Sequence, residues 1–243
     1  MRRAALAVAF LTVLPVRLRG EAPNLGAAAA WFPVVGGLIG AIAGAVRVGA
    51  TPLVGRGPAS VLAAATLVAV SGALHQDGLA DCADGLGVRG DRERRLKVMR
   101  DPAIGVFGAL ALIVWMLLMV TGLDSLDSGS AGRALIVAAA VGRWAAVLHA
   151  RLAPAARRDG LGAGFGVGSV GLAVASVIAV AAASLLLGIG GGLAALAGAG
   201  VVTLLVTRWA LRSLRGRTGD TLGATVALVE ATVLLVAVGF AGR

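Results

Sequence analysis

A chain of 243 residues that is 58% hydrophobic and only 14% charged is too apolar for an ordinary water-soluble domain. Its net charge of +10 raises nucleic acid as a partner, but no patch interleaves aromatic with basic residues, and basic loops beside a bilayer are the more ordinary cause. The single cysteine, Cys82, excludes an intramolecular disulfide and a thiolate zinc cluster.

Several apolar runs reach about 20 residues, the length of a membrane-crossing helix. They are continuous rather than alternating, which argues against a β-barrel. The fold class expected is all-α: a polytopic integral membrane helix bundle forming one domain over residues 1–243. Arg2 and Arg3 precede an apolar run at 4–16 that contains Pro15. It resembles the front of a signal peptide, but residues 18–23 make a poor cleavage site. The run is too short to span comfortably, so a short amino-terminal interfacial or re-entrant helix is expected.

Seven spans follow, at about 27–48, 59–74, 104–123, 133–150, 170–187, 191–210 and 221–240. Gly36, Gly37, Gly40 and Gly44 lie at the small-residue spacing that lets helices approach closely in lipid. Gly188-Ile189-Gly190 joins the fifth span to the sixth. Polar loops lie at 85–103, 151–169 and 211–220. These loops and the amino terminus hold most of the 22 basic residues, a bias that orients them to the cytoplasm. The same face then gathers Asp77, Asp81, Asp84, Asp101, Asp159 and Asp220, out of only twelve acidic residues. A multi-pass protein of the bacterial cytoplasmic membrane, its active face cytoplasmic, is the expectation. The lipid bilayer is then a partner, nucleic acid is not, and a homo-oligomer is compatible with the sequence.

The most polar stretch is His75-Gln76-Asp77-Gly78-Leu79-Ala80-Asp81-Cys82-Ala83-Asp84-Gly85. In a helix, the spacing of Asp77, Asp81 and Asp84 places all three carboxylates on one face. Such crowding suits a hard divalent cation, and Mg²⁺ takes oxygen ligands, keeps waters and is completed by substrate phosphates. The alternative is a solvated helix face at a membrane surface. Carboxylates in a basic surround, with no nucleophilic triad, point to phosphate chemistry. His75 is a candidate base, or a group that orients an aspartate. His149 is expected to pack or to make a polar contact near the membrane edge. Arg94, Arg95, Lys97, Arg100, Asp101 and Asp220 are candidate substrate contacts. Arg143 and Glu230 fall inside the fourth and seventh spans, roughly 12 Å and 15 Å from the loops at Arg151 and Asp220 at 1.5 Å per residue. Their matched depth predicts either a buried ion pair or two groups lining the active cavity.

These residues resemble adenosylcobinamide-GDP ribazoletransferase, the cobalamin synthase family of bacteria and archaea. The likeness rests most on Gly72-Ala73-Leu74-His75-Gln76-Asp77-Gly78-Leu79-Ala80-Asp81-Cys82-Ala83-Asp84-Gly85, continued by Asp91-Arg92-Glu93-Arg94-Arg95-Leu96 and Met99-Arg100-Asp101. Phe10-Leu11-Thr12-Val13-Leu14-Pro15-Val16, Trp31-Phe32-Pro33-Val34-Val35-Gly36 and Thr218-Gly219-Asp220-Thr221-Leu222-Gly223-Ala224, with Glu230, are similar to further family motifs. Pro102-Ala103 stands where the family commonly has Ser-Arg, and Val226 where Asn is usual. The resemblance implies reaction of adenosylcobinamide-GDP with α-ribazole, or its 5′-phosphate, to give adenosylcobalamin, or its 5′-phosphate, and GMP, with Mg²⁺ as cofactor. A CDP-alcohol phosphotransferase is the nearest enzyme rival, but its Asp-Gly-x-x-Ala-Arg start is not met. A transporter would spread charge along a path through the bilayer, whereas the acids here gather on one side.

Overall fold

Helices supply every regular element of the computed structural model, which describes residues 2–17, 24–157 and 164–241. Among the described residues the sole β pairing is a bridge between Ala155 and Arg217. The elements are α1 (Arg2–Leu11), a 3-10 helix (Leu25–Trp31), α2 (Phe32–Val54), α3 (Arg56–Val70), α4 (Leu74–Gly87), α5 (Arg92–Val98), α6 (Val106–Asp124), α7 (Ser128–Leu152), α8 (Ser169–Leu214) and α9 (Gly219–Ala241).

Helix α1 is shorter than its apolar run and too short to cross a bilayer. Ala7 and Leu11 are buried, and the Phe10 ring stacks on Phe32 at 5.9 Å. Among the described residues five helical segments are long and apolar enough to cross: Leu25–Val54, α6, α7, α8 and α9. The bent pair α3–α4 reaches that length and hydropathy only when its two helices are taken together. Helix α8 is not straight. Gly188 has φ 74° and ψ 166°, a conformation that only glycine adopts readily. A Cβ at Gly192 would lie 2.8 Å from the backbone of Ala183 and Ser184. In a straight helix those positions would be roughly 13 Å apart. The arms 169–187 and 189–214 therefore double back, as the Gly188-Ile189-Gly190 turn suggested. Large apolar side chains on both arms, Val177, Leu185, Leu193 and Leu204 among them, face outward, as a lipid-facing surface requires.

Helix α7 is the axis of the bundle. Residues Val137 to Val141 are almost wholly buried, so neighbours cover it on all sides. Against α2 the backbones nearly touch: a Cβ at Gly36 would meet the Ala139 carbonyl oxygen at 2.3 Å, and one at Gly40 the Leu135 carbonyl oxygen at 2.3 Å. The small-residue spacing read in α2 is thus a helix-packing face.

The polar stretch leaves this bundle at a sharp corner. Gly72 and Ala73 are both left-handed, with φ 61° and 57°, and α4 departs from α3 at 89°. The Ala73 amide closes the corner on the Val68 carbonyl at 2.9 Å, while the Val13 amide reaches the Val70 carbonyl at 3.0 Å. Helix α4 then lies across the starts of α9 and α6 instead of continuing a span. The region expected as a loop at 85–103 contains α5. Its seven residues carry too many charges to show an apolar period, but Asp91 caps it, accepting from the Arg94 amide at 3.0 Å.

Candidate active site

Helix α4 is held in place by two close contacts. Where it crosses α9, a Cβ on Gly78 would fall 2.6 Å from the Asp220 carbonyl oxygen, and one on Gly223 would fall 3.1 Å from the Leu74 carbonyl oxygen. Two glycines facing each other allow backbone-to-backbone contact. Farther along, Asp84 accepts hydrogen bonds from the Gly105 amide at 2.7 Å and the Gly108 amide at 2.9 Å. Both its oxygens are thereby committed to the open amino-terminal end of α6, where a carboxylate satisfies orphan amides and the helix dipole. Asp84 is 9% exposed. It was expected to share a cation with Asp77 and Asp81; the geometry shows it anchoring the start of α6.

The crossing brings Asp220 to the α4 aspartates. Thr218 and Thr221 bond reciprocally, amide to hydroxyl, at 2.9 and 3.2 Å, and so fix the first turn of α9 that carries Asp220. Half-buried Asp81 is pushed up to about 7, by burial first and then by the charges of Asp77, Asp220 and Asp84, with Arg157 opposing. Carboxylates that raise each other in this way are short of positive charge. Among the described residues no three carboxylates or imidazoles stand close enough to form a ready-made metal centre. Mg²⁺ is usually held by one or two carboxylates, waters and substrate phosphates. Asp77 and Asp81, one turn apart with Asp220 across from them, fit that partial shell.

Three cavities meet around these residues. A groove of about 530 Å³ is lined by Asp77, Asp81, Arg100, Asp101 and Trp115. A basin of about 630 Å³ shares Arg100 and Asp101 with it and adds Lys97 and Arg157. A smaller cavity, about 100 Å³, lies on the other side of Asp77 and is lined by His75, Arg143 and Asp220 among apolar residues. Arg157 pairs with Asp220 at 3.4 Å. Asp101 also holds its own turn, accepting from the Ala103 amide at 3.0 Å.

Arg143 and Glu230 form an ion pair between α7 and α9, each 1% exposed. The ion pair expected of Arg143 is present, and the same side chain lines the small cavity. His75 is 3% exposed, and its Nε2 has no hydrogen-bond partner among the described residues. His149 makes a polar contact inside the bundle, Nδ1 to the Thr225 hydroxyl at 2.8 Å.

Several basic residues serve the fold. Arg95, expected at the substrate, donates to the Gly85 and Leu86 carbonyls at 2.7 and 3.2 Å and closes the end of α4. Arg94 is exposed and lines none of the three cavities. Arg92 ties α5 to the Leu214 carbonyl at 2.9 Å and the Ala156 carbonyl at 2.6 Å. Arg217, 5% exposed, donates to the Ala153 carbonyl and to the Phe165 carbonyl, the latter at 2.8 Å. At the opposite end of the bundle, buried Arg47 donates to the Leu123 carbonyl at 3.2 Å. The expectation for Asp159, with Arg158, lies outside the described residues. Arg157 was missed as a site residue; its signal in the sequence is its place in the polar loop at 151–169, on the face expected to carry Asp220.

Known proteins place this geometry in a lineage. The family described as Cobalamin-5-phosphate synthase matches residues 3–238. An adenosylcobinamide-GDP ribazoletransferase of Mesorhizobium japonicum is 41% identical over 96% of this chain and 91% of its own length. One from Bradyrhizobium diazoefficiens is 38% identical, covering 97% and 92%, and one from Desulforamulus reducens is 36% identical, covering 94% and 93%. No solved structure matches the chain. With the family matched over residues 3–238 and relatives of that identity over nearly the whole chain, the chain belongs to the Cobalamin-5-phosphate synthase family.

Proposed function

We propose that this protein is an Mg²⁺-dependent transferase that joins adenosylcobinamide-GDP to α-ribazole, or to its 5′-phosphate, and releases GMP. The observation that carries the reading is the meeting of Asp77, Asp81 and Asp220 where α4 crosses α9, beside a groove and basin rimmed by Arg100, Lys97 and Arg157. The name carried by the relatives supplies the substrates. Asp77 and Asp81 would hold Mg²⁺, with waters and substrate phosphates completing its shell and Asp220 facing it from α9, and the ion would supply charge neutralisation for a diphosphate and its leaving oxygen. Arg100, Lys97 and Arg157 bind the remaining phosphate oxygens, and Asp84 keeps α4 and α6 in register beneath the groove.

The ribazole 3′-hydroxyl attacks the phosphorus attached to cobinamide. A new oxygen–phosphorus bond forms, the bond to the bridging oxygen breaks, and GMP leaves with that electron pair. The hydroxyl proton passes to solvent. Positioning and electrostatics suffice for such a transfer, so no protein nucleophile is required.

Detergent-purified protein given both substrates and Mg²⁺ is expected to form GMP and adenosylcobalamin in equal amounts by mass spectrometry. Absence of GMP would refute the reading, and full turnover in chelator would remove Mg²⁺ from it.

In this reading the chain crosses seven times, with α3 counted as one crossing and the two arms of α8 as two, and the site faces the cytoplasm because the basic loops gather at its end of the bundle. Thiols introduced as Ser125→Cys and Ala241→Cys should label from outside intact cells, and Lys97→Cys only after permeabilisation. Outside labelling at position 97 would invert the topology.

A further inference from the structure

We propose that the small cavity behind Asp77 seats the base of the acceptor nucleoside, a flat and largely apolar bicyclic ring of the benzimidazole type. The inference rests on the proposed function and deepens it. The cavity is about 100 Å³. On the measure by which one water needs about 10–15 Å³, that is room for one bicyclic base and far too little for a corrin. Phe10, Phe32 and Phe165 form one wall, stacked in series with ring centres 5.9 and 5.0 Å apart. Stacked aromatic rings are a surface on which another flat ring packs well. Val226, from α9, also lines the space.

Position adds to shape. Asp77 lines this cavity and the larger groove alike. A base seated here therefore has its sugar beside the aspartates, next to the groove where the diphosphate of the other substrate would lie. The rival occupant is the guanine of that substrate. Guanine carries donors and acceptors around most of its edge, and of the four polar side chains that line the cavity beside its Phe, Leu and Val residues, Arg143 and Asp220 are already paired with Glu230 and Arg157, which leaves guanine too few partners. A benzimidazole attached through one ring nitrogen has a single in-plane acceptor left. The charged groove and basin are the better match for the guanylate.

Two measurements test the assignment. With wild-type protein, free dimethylbenzimidazole should compete with α-ribazole, raising its apparent KM, and should not compete with adenosylcobinamide-GDP. Val226→Phe, which fills the cavity, should raise the KM for α-ribazole about tenfold or more, with the KM for adenosylcobinamide-GDP and kcat within about twofold. Calorimetric binding of α-ribazole to protein without the second substrate should weaken in the same variant. If the free base competes with adenosylcobinamide-GDP, or inhibits nothing, or if a folded Val226→Phe protein binds α-ribazole normally, the assignment is overturned. Should Val226→Phe fail to fold, Val226→Leu, a smaller fill of the same wall, takes its place, and an unchanged KM for α-ribazole in that folded variant overturns the assignment. Protein that binds α-ribazole in this cavity but releases no GMP would sink the proposed reaction and leave the base site standing.

Discussion

Asp77→Asn and Asp81→Asn are each expected to lower turnover by roughly 10²–10³-fold or more while leaving the protein folded, because each removes a charge that would hold the cation against the transferring phosphoryl group. An amide keeps the size of the side chain and loses the charge that would hold a cation. Asp84→Asn should behave differently. Its carboxylate binds the Gly105 and Gly108 amides, and an asparagine would turn an NH₂ group toward one of them. The expected result is a loss of about 1.5–3 kcal/mol in stability, the usual worth of hydrogen bonds to a charged group, with activity falling because α6 loses its register against α4. Melting in detergent, followed beside activity, separates the two behaviours. A stable but inactive Asp84→Asn protein would put that carboxylate back in the chemistry.

Breaking the ion pair beneath the site is expected to have the largest effect on stability. Arg143 and Glu230 are paired with almost no solvent contact, and removing one partner of such a pair costs on the order of 3–5 kcal/mol. The two single losses should not be equal. A lone glutamate can take up a proton, whereas a lone guanidinium cannot lose one. Glu230→Leu should therefore be worse than Arg143→Met. The double variant should recover much of the loss, since two apolar side chains leave no buried charge behind. Additive losses in the double-mutant cycle would count against pairing.

How far the sequence could be read depended on what each feature is built from. Long apolar runs announced the spanning helices, and the glycines of α2 announced a packing face, because lipid leaves few other ways to satisfy a backbone or bring helices together. The matched depths of Arg143 and Glu230 were legible for the same reason, a charge at depth being costly. Helix α5 was not legible, since five of its seven residues are charged and leave no apolar period. The anchoring task of Asp84 was not legible because helical spacing fixes a face but not the neighbour across it; its partners are amides more than twenty residues away. The same holds for Arg92, Arg95 and Arg217. Each looks like a loop cation for substrate or solvent, yet each binds main-chain carbonyls, which leave no trace in side-chain sequence. Asp220 came into the site through contact of Gly78 with the first turn of α9, a meeting that neither segment predicts alone.

The stereochemical course at phosphorus tests most directly whether the acidic cluster works by direct transfer. Adenosylcobinamide-GDP would be prepared with isotopically chiral phosphorus at the cobinamide-linked position and converted with α-ribazole. Inversion of configuration is predicted, because one in-line displacement by the ribazole hydroxyl expels GMP. Retention, or a phosphohistidine trapped at His75, would show two displacements through the protein and contradict the account.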